Sequence, residues 1–182
     1  MTPTSFPNNL SNEYDRIVYV DMDGVIVDFN NGFKKLPGSN GLTSKQYDER
    51  YGENSIWDVI NVYGKIKFFS GLPWMSDGMK LWSFVHTNFI NVKILTALGK
   101  SDKQDKKTSS GKRMWLKLNI PDLDDEDIIM VPNKFAKRHY ARPGDILIDD
   151  TNVCIDGFNR KGGIGILHKN ANSTIQRLKK YV

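Results

Sequence analysis

Arg16-Ile17-Val18-Tyr19-Val20-Asp21-Met22-Asp23-Gly24 holds a short β-branched run that stops abruptly in two acids and a glycine. Such a run, bounded by a turn signal, reads as a buried strand opening into a loop. Four further runs repeat the form. They are Ile90 to Leu95 before Thr96-Ala97-Leu98-Gly99, Ile128 to Val131 before Pro132-Asn133, Ile146 to Ile148 before Asp149-Asp150, and Ile164 to Leu167 before His168. Helical stretches lie between them. Met79, Trp82, Val85 and Phe89 recur at helical spacing, and Lys112 to Leu118, Lys134 to Tyr140 and Val153 to Asn159 separate the later strands. Ser173 to Tyr181 closes the chain with Asn172 or Ser173 as its N-cap. Strands alternating with helices form βαβ units, so the predicted fold class is α/β, a three-layer Rossmann-like parallel five-stranded sheet covered on both faces.

One segment breaks the alternation. From Asp28 to about Leu72 there is no strand-like run, and Gly, Asn, Tyr, Trp and Phe are abundant. It is expected to be a small, mainly helical cap inserted after the first strand. The predicted organisation is a loose tail over 1–15, a catalytic core over 16–28 and 73–182, and the cap over 29–72.

Composition narrows the class. With 39% hydrophobic and 26% charged residues the chain can bury a core, which excludes disorder for most of it. The single Cys154 cannot form an internal disulfide and fits a reducing compartment. No run of ~18 apolar residues is present to span a membrane, and Met1 to Arg16 lacks the basic-then-apolar order of a secretion signal. A cytoplasmic protein is expected. The net charge of +5 favours a small anionic substrate. The densest basic stretch, Lys100 to Lys117, is broken by Asp102 and Asp105 and reads as a solvated face, so stable nucleic-acid binding is not expected.

Parallel α/β sheets bind ligands at the carboxyl ends of their strands. Asp21 and Asp23 end the first strand, Thr96 ends the second, and Asp149 and Asp150 end the fourth. Four carboxylates on one rim repel unless a cation sits among them or their pKa values shift. An all-oxygen ligand set points to Mg²⁺, which also partners phosphate. Asp21 and Asp23, two apart in extended chain, face one side and can divide nucleophilic and proton-transfer work. Asp149 and Asp150 point apart, so one reaches the metal and the other orients it. His86, His139 and His168 share no ligand spacing, and Gly162-Gly163-Ile164-Gly165 precedes a strand, unlike a dinucleotide fingerprint.

Val18-Tyr19-Val20-Asp21-Met22-Asp23-Gly24-Val25 resembles the first motif of the haloacid dehalogenase superfamily of phosphatases. Ile94-Leu95-Thr96 resembles its second motif and Ile146-Leu147-Ile148-Asp149-Asp150 its fourth, in the same order. The long gap between Asp23 and Thr96 matches the family's habit of inserting a cap there. From about Arg16 to Val182 the chain is most similar to the 5'(3')-deoxyribonucleotidases and small phage or bacterial 5'-nucleotidases. The similarity is carried by Asp28-Phe29, Phe68-Phe69 before Leu72-Pro73, Gly111-Lys112 with Trp115-Leu116, and Gly162 to His168. Thr96-Ala97 departs from the Thr-Ser usual in deoxyribonucleotidases and Thr151 from their Arg, which puts the substrate in question.

The resemblance implies a phosphoric monoester hydrolase in nucleotide metabolism. Asp21 would form an aspartyl-phosphate, and Asp23 would protonate the leaving oxygen and then activate water. Mg²⁺ would be held by Asp21, the backbone carbonyl of Asp23 and one of Asp149 or Asp150, with Asp150 favoured. Thr96 and a lysine would hold the phosphoryl oxygens. That lysine is Lys134 by its Val-Pro-Asn-Lys context, with Lys137 as substitute and Lys112 a third choice. Phe29 and Trp57, by default core residues, are expected to stack the base. The partner implied is a small phosphate monoester, a nucleotide, and a homodimer is compatible with the sequence. Alternatives are the same chemistry on a sugar phosphate or a polynucleotide 3'-phosphate, or a receiver-like phospho-acceptor.

Overall fold

The computed structural model describes residues 16–99 and 106–182. The expected tail over 1–15 and the Lys100 to Asp105 part of the basic stretch lie outside the described residues. Five strands form one parallel sheet: β1 (Ile17–Val20), β2 (Asn91–Ala97), β3 (Ile128–Val131), β4 (Ile146–Asp149) and β5 (Ile164–Leu167). Their order is β3-β2-β1-β4-β5, so β1 is central, flanked by β2 and β4.

The pleat accounts for the three layers, because successive side chains point to opposite faces. Val18, Val20, Ile94, Ile146 and Ile148 belong to one core with Leu81, Val85, Trp115 and Leu116. Their intervening neighbours Tyr19, Leu95 and Leu147 join Val131, Ile155 and Phe158 in the other. Tyr19 meets Tyr140 and Phe158 edge-on at 6.0 and 6.1 Å. The first core is covered by α5 (Gly78–Asn88), α6 (Lys106–Asn119) and α8 (Ala171–Leu178), whose buried residues include Leu81, Trp115 and Leu178. The second is covered by α7 (Asn152–Arg160) and a 3₁₀ turn over Lys134–Tyr140. The fold class is as expected from the alternation of strands and helices.

Between β1 and α5 the chain forms four short helices: α1 (Phe29–Lys34), α2 (Ser44–Tyr51), α3 (Ile56–Tyr63) and α4 (Lys65–Ser70). Asp28 caps α1 by accepting from the Asn31 amide at 2.9 Å, and Thr43 with Gln46 forms a capping box on α2. The insert is fastened to the core where α4 meets α6. A Cβ at Gly111 would lie 2.8 Å from Phe69 Cβ and 2.9 Å from the Ile66 carbonyl, so only glycine lets the helices approach this closely.

Some local expectations change. The last helix starts earlier than expected, at Ala171, with Asn170 as N-cap accepting from the Ser173 amide at 2.9 Å. Lys134 to Tyr140 winds as 3₁₀ rather than α. Helix α6 begins well before Lys112, through a polar first turn that hydrophobic spacing does not mark. Met79 is 57% exposed, and Leu81 takes the core position instead. No helix among the described residues is long and apolar enough to cross a membrane.

Candidate active site

All the strand-end acids gather at the carboxyl edge of β1 and β4. Asp21 is buried, and its Oδ1 accepts from the Met22 amide at 2.8 Å and faces Lys137 Nζ at 2.8 Å. Its Oδ2 makes no hydrogen bond among the described residues. Lys137 also donates to Asp149 Oδ2 at 2.6 Å, so one ammonium bridges β1 and β4. Asp149 Oδ1 accepts from the amide and hydroxyl of Thr151, so with Lys137 on Oδ2 both oxygens of that carboxylate are engaged. Asp150 is exposed, and among the described residues its carboxylate has no such partners. Asp21, Asp149 and Asp150 can each bring one oxygen within 4.8 Å of the others.

A second lysine organises the other half. Lys112, on α6, donates to Asp23 Oδ2 at 2.6 Å, to Thr96 Oγ1 at 2.8 Å and to the Ala97 carbonyl at 2.8 Å. An ammonium has three N–H groups, so Lys112 is saturated, whereas Lys137 uses two of its three on carboxylates. Asp23 Oδ1 is buried without a partner. The close approach at Gly111 is what brings Lys112 to this place, 5.5 Å from the Phe69 ring centre.

Burial, with Asp149 alongside, pushes the Asp21 carboxyl up to about 7 against the pull of Lys137. The protein around Asp150 desolvates it and Asp149 repels it, so it is pushed up to about 6. For Asp149, burial is outweighed by Lys137 and the Thr151 hydrogen bonds, and its carboxyl is held below the usual range. Burial pulls Lys137 down, but Asp21 and Asp149 overcome it and hold the ammonium well above its ordinary value. Burial raises Cys154 to about 12, so its thiol stays protonated and is no nucleophile here.

The donor set fits a hard divalent cation. Four carboxylates against two ammoniums leave a deficit of two positive charges, every donor is oxygen, and Asp23 Oδ1 is an orphaned buried atom. Asp150 has free oxygens where Asp149 does not, which favours Asp150 as the direct ligand. Asp23 lies outside the carboxylate cluster and turns to Lys112. Gly24 has φ +79, and a Cβ there would lie 2.3 Å from Asp150 Oδ2. Gly24→Ala is therefore expected to displace Asp150 and weaken Mg²⁺ binding at least about tenfold, read by calorimetric titration. Unchanged affinity would remove Asp150 from the ligand set.

Two clefts meet at the acids. One, of about 250 Å³, is lined by Asp21, Asp23, Lys134, Lys137, Asp150 and Thr151 among others. The larger, of about 320 Å³, runs from Asp23 and Lys112 past Phe29, Trp57, Phe69, Leu98 and Phe135, with Asn54 and Asn133 at its wall. Phe29 and Trp57 thus line one cleft. They pack into an aromatic group, Phe29 on Phe68 at 5.3 Å and Trp57 on Phe69 at 6.5 Å. Lys134 lines both clefts but is exposed and touches none of the acids. Lys137 and Lys112 contact the acids and Lys134 does not. The reason is the 3₁₀ turn, which carries Lys137 inward between β1 and β4 while Lys134 stays at its outer start. His168 is buried, with Nδ1 on Thr174 Oγ1 at 2.9 Å and its backbone amide donating to the Asp149 carbonyl at 2.8 Å.

No protein-family model matches the chain, and no curated protein matches it in sequence. Solved structures do. A haloacid dehalogenase-like family hydrolase from Streptococcus pneumoniae superposes with a TM-score of 0.54 at 17% identity, over 89% of this chain and 90% of that one. A second hydrolase, from Streptococcus pneumoniae TIGR4, gives 0.55 at 10% identity, over 90% and 98%. The fold is that of the haloacid dehalogenase-like hydrolases. A third such structure, a family hydrolase from Deinococcus radiodurans R1 with bound phosphate and sodium, gives 0.52 at 13% identity, over 92% and 89%. On the haloacid dehalogenase-like fold the edge where β1 and β4 end is the carboxyl rim of a parallel sheet, the place where such sheets take ligands. Thr151, bonded to Asp149, and Phe69, in the lining of the aromatic cleft, stand at the candidate site without having been expected there. Thr151 follows Asp149-Asp150 directly, and that adjacency is the available signal.

Proposed function

We propose that the chain is a Mg²⁺-dependent phosphomonoesterase acting on nucleoside monophosphates through an aspartyl-phosphate on Asp21. The observation that carries this reading is the pairing of two acids with two buried lysines. Lys137 holds Asp21 and Lys112 holds Asp23, at the mouth of an aromatic cleft. A neighbour of the same fold binds phosphate, which supports the reaction class.

The chemistry follows from which atoms are engaged. Asp21 Oδ1 is fixed by Lys137 and the Met22 amide, leaving Oδ2 to attack phosphorus. The ester P–O bond breaks as the new P–Oδ2 bond forms, and Asp23 gives its proton to the leaving oxygen. Asp23, now a carboxylate, takes a proton from water, which attacks the phosphorus. The P–Oδ2 bond breaks, and Asp21 and inorganic phosphate are released. Lys112 is saturated, so it holds Asp23 and Thr96 in place rather than gripping substrate. Thr96 Oγ1 accepts from Lys112, and its own O–H can donate to a phosphoryl oxygen. The third N–H of Lys137 is free for another. Asp21, Asp150 and the backbone carbonyl of Asp23 would hold Mg²⁺, which when bound acts as a Lewis acid neutralising phosphoryl charge.

Cation binding requires Asp21 and Asp150 ionised; burial of Asp21, and desolvation of Asp150 by the surrounding protein with repulsion from Asp149, favour their protonated forms up to about 7 and about 6. Protons compete with the metal below those values, so apparent Mg²⁺ affinity is expected to fall at least about tenfold from pH 8 to pH 5.5. Calorimetry at the two pH values checks it, and an affinity independent of pH would contradict the ligand set.

The substrate class is tested by measuring phosphate release with Mg²⁺ from nucleoside 5'- and 3'-monophosphates, a sugar phosphate, a 3'-phosphorylated oligonucleotide and p-nitrophenyl phosphate. Nucleotides are expected to be turned over best. Phe29→Ala and Trp57→Ala should each raise the nucleotide KM by roughly 5- to 100-fold with p-nitrophenyl phosphate unaffected, since stacking contributes ~1–3 kcal/mol per base. Activity confined to the oligonucleotide or the sugar phosphate would overturn the nucleotide assignment.

A further inference from the structure

The acid-lined cleft continues past Lys134 and Cys154. Beyond them a cavity of about 180 Å³ opens between the 3₁₀ turn and α7, lined by Lys134, Arg138 and Arg160 with Val153, Cys154 and Gly157. No carboxylate lines it. Among the described residues none of these three side chains makes an ion pair or hydrogen bond, Lys134 resting only near the Phe135 ring. Among the described residues some other surface cations are paired: Arg113 and Lys117 share Asp125, Lys93 takes Asp127, and Arg142 takes Asp145.

The three side chains are exposed, so water screens their mutual repulsion, but no carboxylate lining the cavity offsets it. Arg160, in the last turn of α7, suits the helix dipole, but Lys134 stands at the start of its turn, the end where a cation is disfavoured. An anion in the cavity would relieve all three. Arginine forks match phosphate oxygens in pairs, and Lys134 lines the aromatic cleft, the acid cleft and this cavity alike.

We propose that the cavity lined by Lys134, Arg138 and Arg160 is a second anion subsite, taking a phosphate carried elsewhere on the substrate, so that the preferred substrate is a nucleoside bisphosphate. The proposal rests on the phosphatase reading above and specifies its substrate. The cavity admits one phosphate-sized group, which fits a small molecule better than a polynucleotide strand.

The test is calorimetric titration of the Asp21→Asn protein in Mg²⁺ with adenosine 3',5'-bisphosphate, the two adenosine monophosphates and a 3'-phosphorylated trinucleotide. The bisphosphate is expected to bind at least about tenfold tighter than either monophosphate, as charge-assisted contacts of this kind allow. Adding Arg138→Ala with Arg160→Ala should bring it to the monophosphate level while monophosphate affinity stays within about twofold. Equal affinities, or a preference that survives the double replacement, would overturn the subsite and leave the phosphatase reading standing. Tighter binding of the trinucleotide than of the bisphosphate would overturn the small-molecule assignment in favour of a nucleic-acid end. No binding by any of them would overturn the phosphatase reading itself, and the subsite with it.

Discussion

Asp21→Asn is expected to lower phosphate release by roughly 10³-fold or more while leaving the protein folded. The amide keeps the shape and the contact of Oδ1 with the Met22 amide, but it cannot form the covalent intermediate. Removing a nucleophile in covalent catalysis commonly costs this much or more, because the partner groups have nothing to act on. The fold should tolerate the change, since a neutral side chain at this buried position avoids the desolvation that pushes Asp21 to about 7. The variant should therefore melt no lower than the wild type in the absence of metal. Residual turnover near the wild-type rate would move the nucleophile elsewhere, and unfolding would show that Asp21 serves the fold before it serves chemistry.

Lys137→Met is expected to fail on both counts. Lys137 is 1% exposed and bridges two buried carboxylates, Asp21 and Asp149. Removing one member of a buried ion-pair network leaves uncompensated charge, typically at a cost of about 3–5 kcal/mol. The sign of its pH dependence follows from the two acids. Asp149 is held below the usual range by Lys137, so it contributes stability above the unfolded carboxylate value that disappears as pH falls through its folded value. Asp21 is already raised to about 7, and without Lys137 its ionisation is harder still. The Asp149 contribution is still complete at pH 5, so over this range Asp21 makes the deficit of the variant largest near pH 8 and smaller near pH 5, as denaturant unfolding at the two pH values would read. Added Mg²⁺ should restore part of the loss at pH 8 by supplying positive charge to the same acids. A deficit independent of pH would mean that Lys137 contributes through packing alone.

The sheet is legible in the sequence because its strands are short, continuous and β-branched, and because each stops at an acid, a Thr, a Pro or a His. Asp21, Asp149 and Asp150 are legible for the same reason: a strand end fixes where a residue stands, and a parallel sheet puts all such ends on one rim. The lysines are not. Lys112 reaches Asp23 across 89 positions only because α4 rests on Gly111, a contact between an insert and a helix that no local pattern encodes. Lys137 ranks below Lys134 on sequence because Lys134 has the Val-Pro-Asn-Lys context at a strand end, while a lysine on a short helical stretch by default faces solvent. Its burial depends on carboxylates supplied by two distant strands. Phe29 and Trp57 are a middle case. Their aromatic character is plain, but their sharing of one cleft depends on how α1, α3 and α4 fold over the rim.

The most direct measurement is a rapid-quench reaction of the Asp23→Asn protein in Mg²⁺ with ³²P-labelled p-nitrophenyl phosphate, whose phenolate leaves without a proton from Asp23, followed by mapping of the labelled peptide. An amide at position 23 cannot activate water, so phosphate transferred to the protein should persist. The label should appear on the peptide carrying Asp21 and vanish when Asp21→Asn is added. Label on another residue, or release of phosphate with no protein-bound label at any time, would contradict covalent catalysis by Asp21.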